Sequence, residues 1–296
     1  MVGAMSFRFC VLGSGSGGNA TLVEGAGARL LVDAGLSAKQ LTLRLEALGV
    51  EADSLDGVLL SHEHGDHTRG LEVFCRRHGV PVYCNRHTQR VLADQLRRAP
   101  EWRLIEAGGA FMIGGLRVTT FGVPHDAVDP MGFTFHGNGS GLGVVTDLGH
   151  VDKLVRHRLE GIEALVIEAN YDDVLLDADT RRPWPTKQRI ASHHGHLSNA
   201  QAAKLAAELA ASGLRRVVLA HLSRDCNSPE HAMRTVRAAV ADPAFEVCCA
   251  AQDRAVGFFE LTGADAAPAS ESEVDGGAHP PPAMVQGLLW EVSGRP

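Results

Sequence analysis

Ser61-His62-Glu63-His64-Gly65-Asp66-His67 follows directly on the apolar run Gly57-Val58-Leu59-Leu60. From His62 to His67 the chain places three imidazoles and the Asp66 carboxylate within six residues. The preceding run is short and apolar, the pattern of a buried strand. His62 and His64 stand at i and i+2, so on an extended turn both rings project to the same side. Asp66 and His67 fall where the chain enters a helix and aim at a second point nearby, so one segment offers ligands to two adjacent metals. The competing reading is a solvated polar loop, and a lone His-x-His would fit it. Four such groups at the end of an apolar strand instead match the nitrogen and oxygen preferences of zinc-like metals.

Outward from this stretch, apolar runs repeatedly end on polar groups. Asp33 closes the strand Arg29–Ala34, where an acid either forms a turn or holds the histidine loop in place. His125 follows Val118–Pro124, Asp147 follows Leu142–Thr146, and His221 follows Val217–Ala220. Strand ends are where active sites collect in open α/β folds. Together these positions supply enough imidazoles and carboxylates for two metals. Glu168 lies near the end of a further strand, Ala164–Ala169.

Between these points the chain alternates strands and helices. Ser6–Leu12 reads as a strand leading into the loop Gly13-Ser14-Gly15-Ser16-Gly17-Gly18-Asn19, which either connects a hairpin or turns backbone N–H groups toward an anion. Ser37 and Gln40 form a helix start, Leu41, Leu45 and Leu48 its buried stripe and Gly49 its stop. One helix is expected from His67 to about His78, and a polar helix over Thr88–Arg98. Met131–Phe135 pairs with Gly141–Thr146. Asn199–Ala211 is helical, Ser228-Pro229-Glu230 opens the last long helix, and Phe245–Ala250 with Ala255–Leu261 make a closing pair of strands.

The 296 residues suit one large α/β domain or two small ones, and a hydrophobic content of 45% is enough for a substantial core. A net charge of −7 argues against a broad basic surface, so any nucleic-acid contact is local. Cys10, Cys75, Cys84, Cys226, Cys248 and Cys249 have no disulfide-framework spacing and suit reduced thiols. No apolar run reaches the ~18 residues of a membrane-spanning helix, and no secretory leader is recognisable. The expectation is a cytoplasmic protein without a membrane partner; oligomeric state is not legible. Residues 1–5 read as an N-terminal extension, 6–262 as the folded domain and 263–296, with Pro280-Pro281-Pro282, as a disordered tail.

The His62–His67 stretch resembles the signature of the metallo-β-lactamase superfamily. That resemblance implies an αββα sandwich, two mixed sheets with helices on the outer faces. It implies that His62, His64 and His125 hold one metal, that Asp66, His67 and His221 hold the other, and that Asp147 bridges them. A hydroxide shared by two such metals, Zn2+ or Mn2+, would be the nucleophile of an in-line displacement, with Asp66 orienting it. A leaving alkoxide needs a proton. His196, in Gly195-His196-Leu197-Ser198-Asn199, is the candidate donor, with His193 and His194 as neighbours that spacing does not exclude.

A histidine before a helix, with another some twenty-five residues on, resembles the phosphodiesterase side of the superfamily. The closer resemblance is to the WalJ/YycJ-like bacterial metallo-hydrolases, which include 5′-to-3′ DNA exonucleases. It is carried by Leu12–Asn19, Leu60–His67, Thr146–Gly149, Lys187–Ile190 with Gly195–Asn199, and Leu219–Asn227. It implies a nucleic acid, DNA in the first place, as substrate, with Ser14, Ser16, Asn19, Lys187, Arg189, Ser198 and Asn199 as substrate-binding candidates. Arg181–Arg189 concentrates four cations around Trp184, which would either stack on an exposed base or cover the core edge from a solvated loop. Hydrolysis of small cyclic or nucleotide phosphodiesters is the alternative, and a lactamase or thioesterase activity a more distant one.

Overall fold

Alternating side-chain faces build the architecture. In the first strand, Phe9 and Val11 face one way and Cys10 and Leu12 the other, and all four are buried. A strand buried on both faces needs a layer on each side. The computed structural model describes residues 7–240 and 242–263, so the expected extension 1–5 and all of the expected tail 263–296 except Gly263 lie outside them.

The chain first lays down β1 (Phe7–Gly13), β2 (Ala20–Gly25), β3 (Ala28–Val32), β4 (Gly57–Leu59), β5 (Val82–Cys84) and β6 (Trp102–Leu104). It then forms β7 (Ala110–Ile113), β8 (Leu116–Gly122), β9 (Met131–Gly137), β10 (Ser140–Val145), β11 (Ala164–Glu168), β12 (Arg216–Ala220) and β13 (Glu246–Cys249). Finally β14 (Phe259–Leu261) returns to the first sheet, whose order is β14-β1-β2-β3-β4-β5-β6. The second sheet is ordered β13-β12-β11-β10-β9-β8-β7. Each sheet is antiparallel in one half and parallel in the other, over β3 to β6 and β10 to β13.

Phe9, Val11, Val32 and Leu59 of the first sheet meet Phe133, Phe135, Val144 and Val218 of the second in the central layer. The outer face of the first sheet is covered by α1 (Ala38–Ala47), α3 (Leu71–His78) and α4 (Arg86–Gln95), through Leu41, Leu45, Phe74 and Leu92. A short α2 (Gly65–Thr68) precedes α3. Over the second sheet lie α5 (Lys153–Arg158), α8 (Asn199–Ala210) and α9 (Pro229–Ala239), burying Val155, Leu205, Leu209 and Val236. Two further helices, α6 (Asp173–Ala178) and α7 (Trp184–Ile190), make an excursion after β11. Layer by layer this is the αββα sandwich.

Three local expectations change. The helix expected from His67 to His78 is broken at Gly70, where a Cβ would lie 2.1 Å from the Leu36 carbonyl oxygen. The runs 245–250 and 255–261 do not pair with each other. β13 joins β12 in parallel, with Val218 opposite Cys248, whereas β14 joins β1 antiparallel, with Arg8 opposite Glu260. Each sheet has an open edge, and the chain crosses between the layers to pair with both. Most of the 181–189 stretch, expected as a loop in one reading, lies on α7, with Pro183 at its N-cap.

Candidate metal centre

Parallel register brings the polar strand ends to one edge of the sandwich. Val32 pairs with Leu59, so Asp33 at the end of β3 sits beside Ser61 at the end of β4. Glu168 pairs with Ala220, so the ends of β11 and β12 present Glu168 and His221 side by side, and Asp147 follows β10 next to them. Asp33, Asp147 and His221 have φ of 63°, 54° and 53°. A non-glycine residue in this left-handed region is uncommon and concentrates at functional sites. Here it turns the side chains back from the strand direction into a common space.

The imidazoles are oriented by the nitrogen that each turns away from that space. His67 Nδ1 lies 2.8 Å from Asp33 Oδ2, and Asp33 Oδ1 accepts from the Ser61 backbone N–H at 2.8 Å. His125 Nδ1 donates to the Gly195 carbonyl at 3.0 Å, and His221 Nδ1 lies 2.8 Å from Glu168 Oε1. His62 Nδ1 is 3.0 Å from the Ser61 hydroxyl. Each of these rings therefore keeps Nε2 for the centre, the usual way a protein fixes the tautomer of a ligating histidine.

Two sets of donor atoms result. His62 Nε2 and His64 Nδ1 are 3.0 Å apart, and His64 Nδ1 and His125 Nε2 3.4 Å. Asp66 Oδ2 lies 3.3 Å from His221 Nε2 and 3.7 Å from His67 Nε2. Tetrahedral ligands at about 2.0–2.1 Å from a metal are about 3.3 Å from one another. Asp147 stands between the sets, with Oδ2 2.9 Å from His67 Nε2 and Oδ1 3.8 Å from His125 Nε2. Oδ2 is buried without a hydrogen-bond donor. At 2.9 Å, His67 Nε2 and Asp147 Oδ2 need a positive charge between them, which either a ring proton or a metal ion can supply. The donor set fits a dinuclear metal site.

The electrostatics agree. Burial, reinforced by neighbouring imidazoles, pushes His62 well below the ordinary histidine range, and burial lowers His125, keeping both neutral as ligands must be. Burial would also lower His67, but Asp33 and Asp147 outweigh it and raise the ring to about 10. His221 is likewise raised well above its ordinary value, because Asp147, Asp66 and Glu168 outweigh its burial. Asp147 is buried, yet His221 and His67 hold it well below the usual carboxylate range. The metal-free centre thus holds protons where a metal would put its charge.

His196 stands on the wall of the cleft above this cluster, its Nδ1 2.7 Å from Glu168 Oε1. Burial lowers its pKa, but Glu168 more than compensates and raises it. Glu168 is fully buried, and its other oxygen accepts from the Leu148 N–H at 2.8 Å and the Leu197 N–H at 3.2 Å. Glu168 has no role in the sequence reading, although its signal, an acid closing an apolar strand, is the same as that of Asp33 and Asp147. The cleft, of about 350 Å³, is also lined by Ser16, Arg182, Arg189 and Arg224.

The substrate-binding candidates divide. Ser16 and Arg189 line the cleft, with Arg189 Nε 2.7 Å from Asp126 Oδ2. Ser14 is buried, donates to Asn19 Oδ1 at 3.0 Å and accepts the His221 backbone N–H at 2.8 Å. Asn19 is buried against Asp66 and His67, and the Gly15 and Gly17 amides donate to Asn19 and Gln252 rather than to open space. Lys187 donates to the Asp177 carbonyl at 2.7 Å, away from the cleft. Ser198 caps α8 in a reciprocal capping box with Gln201, and Asn199 is buried in an amide pair with Asn227. His193 and His194 are not among the residues that line the cleft.

Fold and centre together define a metal-dependent hydrolase of the metallo-β-lactamase kind. The chain belongs to the metallo-β-lactamase superfamily, as a model of the beta-lactamase superfamily domain matches residues 28–222. Its WalJ/YycJ-like relatives include the exodeoxyribonuclease YycJ of Bacillus anthracis, 36% identical over 82% of this chain and 92% of that protein. They also include the exodeoxyribonuclease WalJ of Streptococcus pneumoniae, 33% identical over 78% and 87%. Among solved structures, the metallo-beta-lactamase fold protein YhfI from Bacillus subtilis is similar in fold, with a TM-score of 0.67 at 18% identity over 86% of this chain and 99% of that one. No helix among the described residues is long and apolar enough to cross a membrane.

Proposed function

We propose that this chain is a cytoplasmic dinuclear phosphodiesterase that digests DNA from the 5′ end. In this reading His62, His64 and His125 hold one divalent ion, Asp66, His67 and His221 the other, and Asp147 both. When bound, Zn2+ or Mn2+ supplies Lewis acidity at the phosphoryl oxygens and an activated water. Asp66 orients the attacking water. His196, with Nδ1 turned to Glu168, donates a proton from Nε2 to the leaving alkoxide. Arg189 and Ser16 position phosphate oxygens at the cleft wall.

The observation that carries this reading is the Glu168–His196 contact of 2.7 Å on the wall of the metal cleft. Expulsion of an alkoxide calls for an acid at that place, and a buried carboxylate favours the protonated form of the imidazole. The exodeoxyribonuclease names of the WalJ and YycJ relatives support DNA as the polymer. A second reading, hydrolysis of small cyclic or nucleotide phosphodiesters, is favoured by the net charge of −7 and the modest cleft.

Digestion of end-labelled duplex DNA, single-stranded DNA and RNA with added Mn2+ or Zn2+ separates them. Stepwise loss from the 5′ end, absent in a His196→Ala variant that still binds metal, is the expected result. Turnover of a small chromogenic diester without cleavage of any polymer would establish the second reading instead.

A further inference from the structure

The α6–α7 excursion has two sides. On one, Arg189 and Ile190 face the metal cleft. On the other, a separate groove of about 230 Å³ is walled by Trp184 and Gln188 of α7 and floored by Tyr171 and Leu176. Trp184 is 62% exposed and Val174, on α6, 75% exposed, the two highest values among the exposed large apolar side chains. The indole therefore does not cover the core edge. The groove floor is continuous with the cleft: Tyr171, Leu176 and Ile190 share one small apolar cluster, and Asn170, beside Tyr171, lines the cleft. Ile190 is six positions beyond Trp184, about 9 Å along a helix at 1.5 Å per residue.

We propose that this groove receives a nucleobase of the strand whose phosphate lies in the metal cleft, stacked on Trp184. The inference rests on the nucleic-acid reading above. Its rim carries Asp173, Asp177 and Lys187, whose ammonium is held by the Asp177 carbonyl at 2.7 Å, so the carboxylates outnumber the cation. These carboxylates disfavour a phosphate in the groove and accept hydrogen bonds from the exocyclic amino groups of a base. A flat ring over an apolar floor is the occupant that this combination suits, and an indole face takes any base. The cleft binds the backbone and the groove holds the strand in place through one of its bases.

The test is a double-mutant cycle between the indole and the base. Metal-loaded His196→Ala chain, in which cleavage is blocked, is titrated with labelled single-stranded oligonucleotides carrying one abasic site walked along the strand. At one position near the cleavage site, the abasic change is expected to weaken binding roughly tenfold or more. In the same chain carrying Trp184→Ala, that position-specific penalty disappears, and Trp184→Phe retains most of it. An abasic penalty that persists undiminished in Trp184→Ala, or no penalty at any position in the parent, overturns the proposal. Failure of the nucleic-acid reading shows itself separately, as no binding of any oligonucleotide by the parent, and the proposal falls with it.

Discussion

Glu168 Oε1 lies 2.7 Å from His196 Nδ1, and the carboxylate is completely buried. A buried carboxylate beside an imidazole favours the protonated ring, the form a proton donor needs. In Glu168→Gln the shape is kept and the charge removed. At saturating metal, kcat is expected to fall roughly 10–100-fold. Activity that requires protonated His196 is lost above its pKa, so the alkaline limb of the kcat–pH profile should move to lower pH. A profile displaced upward, or unmoved, would contradict His196 as the donor.

Asp33 touches no part of the cleft and acts through His67, its Oδ2 2.8 Å from the ring. Asp33→Ala is expected to weaken metal affinity about 10–100-fold. Activity should recover at high metal concentration, because the cleft groups are untouched. Isothermal titration of metal-stripped protein, read beside kcat at saturating metal, checks both parts.

Without metal, stability follows the site histidines. His67 and His221 have pKa values raised above 6.5, so they keep protons that the unfolded chain loses, and their contribution disappears as pH rises from 6.5 toward about 10. His62 and His125 are lowered, so below 6.5 the unfolded chain takes up protons that the folded chain does not, and stability falls there too. The metal-stripped protein is expected to have its highest Tm near pH 6.5. The metal-loaded protein should lack the alkaline decline, since its site carries no protons to lose. Calorimetry of both forms from pH 5 to 10 provides the comparison.

Gly35 holds the histidine loop at close quarters: a Cβ there would lie 1.6 Å from the Asp66 carbonyl oxygen. The Gly35 amide also donates to Asn19 and the Asn19 amide to Asp66. Gly35→Ala must push the backbone carrying Asp66 and His67, so it is expected to cost about 3 kcal/mol, the upper end for overpacking. Metal content should drop with it. Denaturant unfolding and metal analysis of the purified variant test this.

Arg182 and Arg189 in the cleft are paired with Asp225 and Asp126, whereas Arg224 has no ion pair among the described residues. It is the cleft arginine readiest to take a phosphate. Arg224→Ala is expected to weaken DNA binding uniformly across sequences and to reduce the salt dependence of log K by about one. Binding isotherms at several salt concentrations measure both.

The chain itself determined the part of this protein that is local. Ligands packed into His62–His67 at the end of an apolar run announced a metal site because their spacing alone brings them together. The strand β1, the cap at Ser37 and the Ser228-Pro229 start were legible for the same reason, since each depends on residues a few places apart. Tertiary structure decided the rest. Glu168 became the hub of His196 and His221, 28 and 53 positions away, because parallel register of β11 and β12 sets His221 beside it and the bridge of Tyr171 to Ser198 brings the His196 segment alongside. Ser14 and Asn19 turned inward because His221 and Asp66 arrive beside them from distant strands. The sandwich also decided that β13 and β14 join different sheets, and that Trp184 stands on a helix beside the cleft. A side chain's partners across hundreds of positions follow from strand register and layer packing, which short-range pattern does not encode.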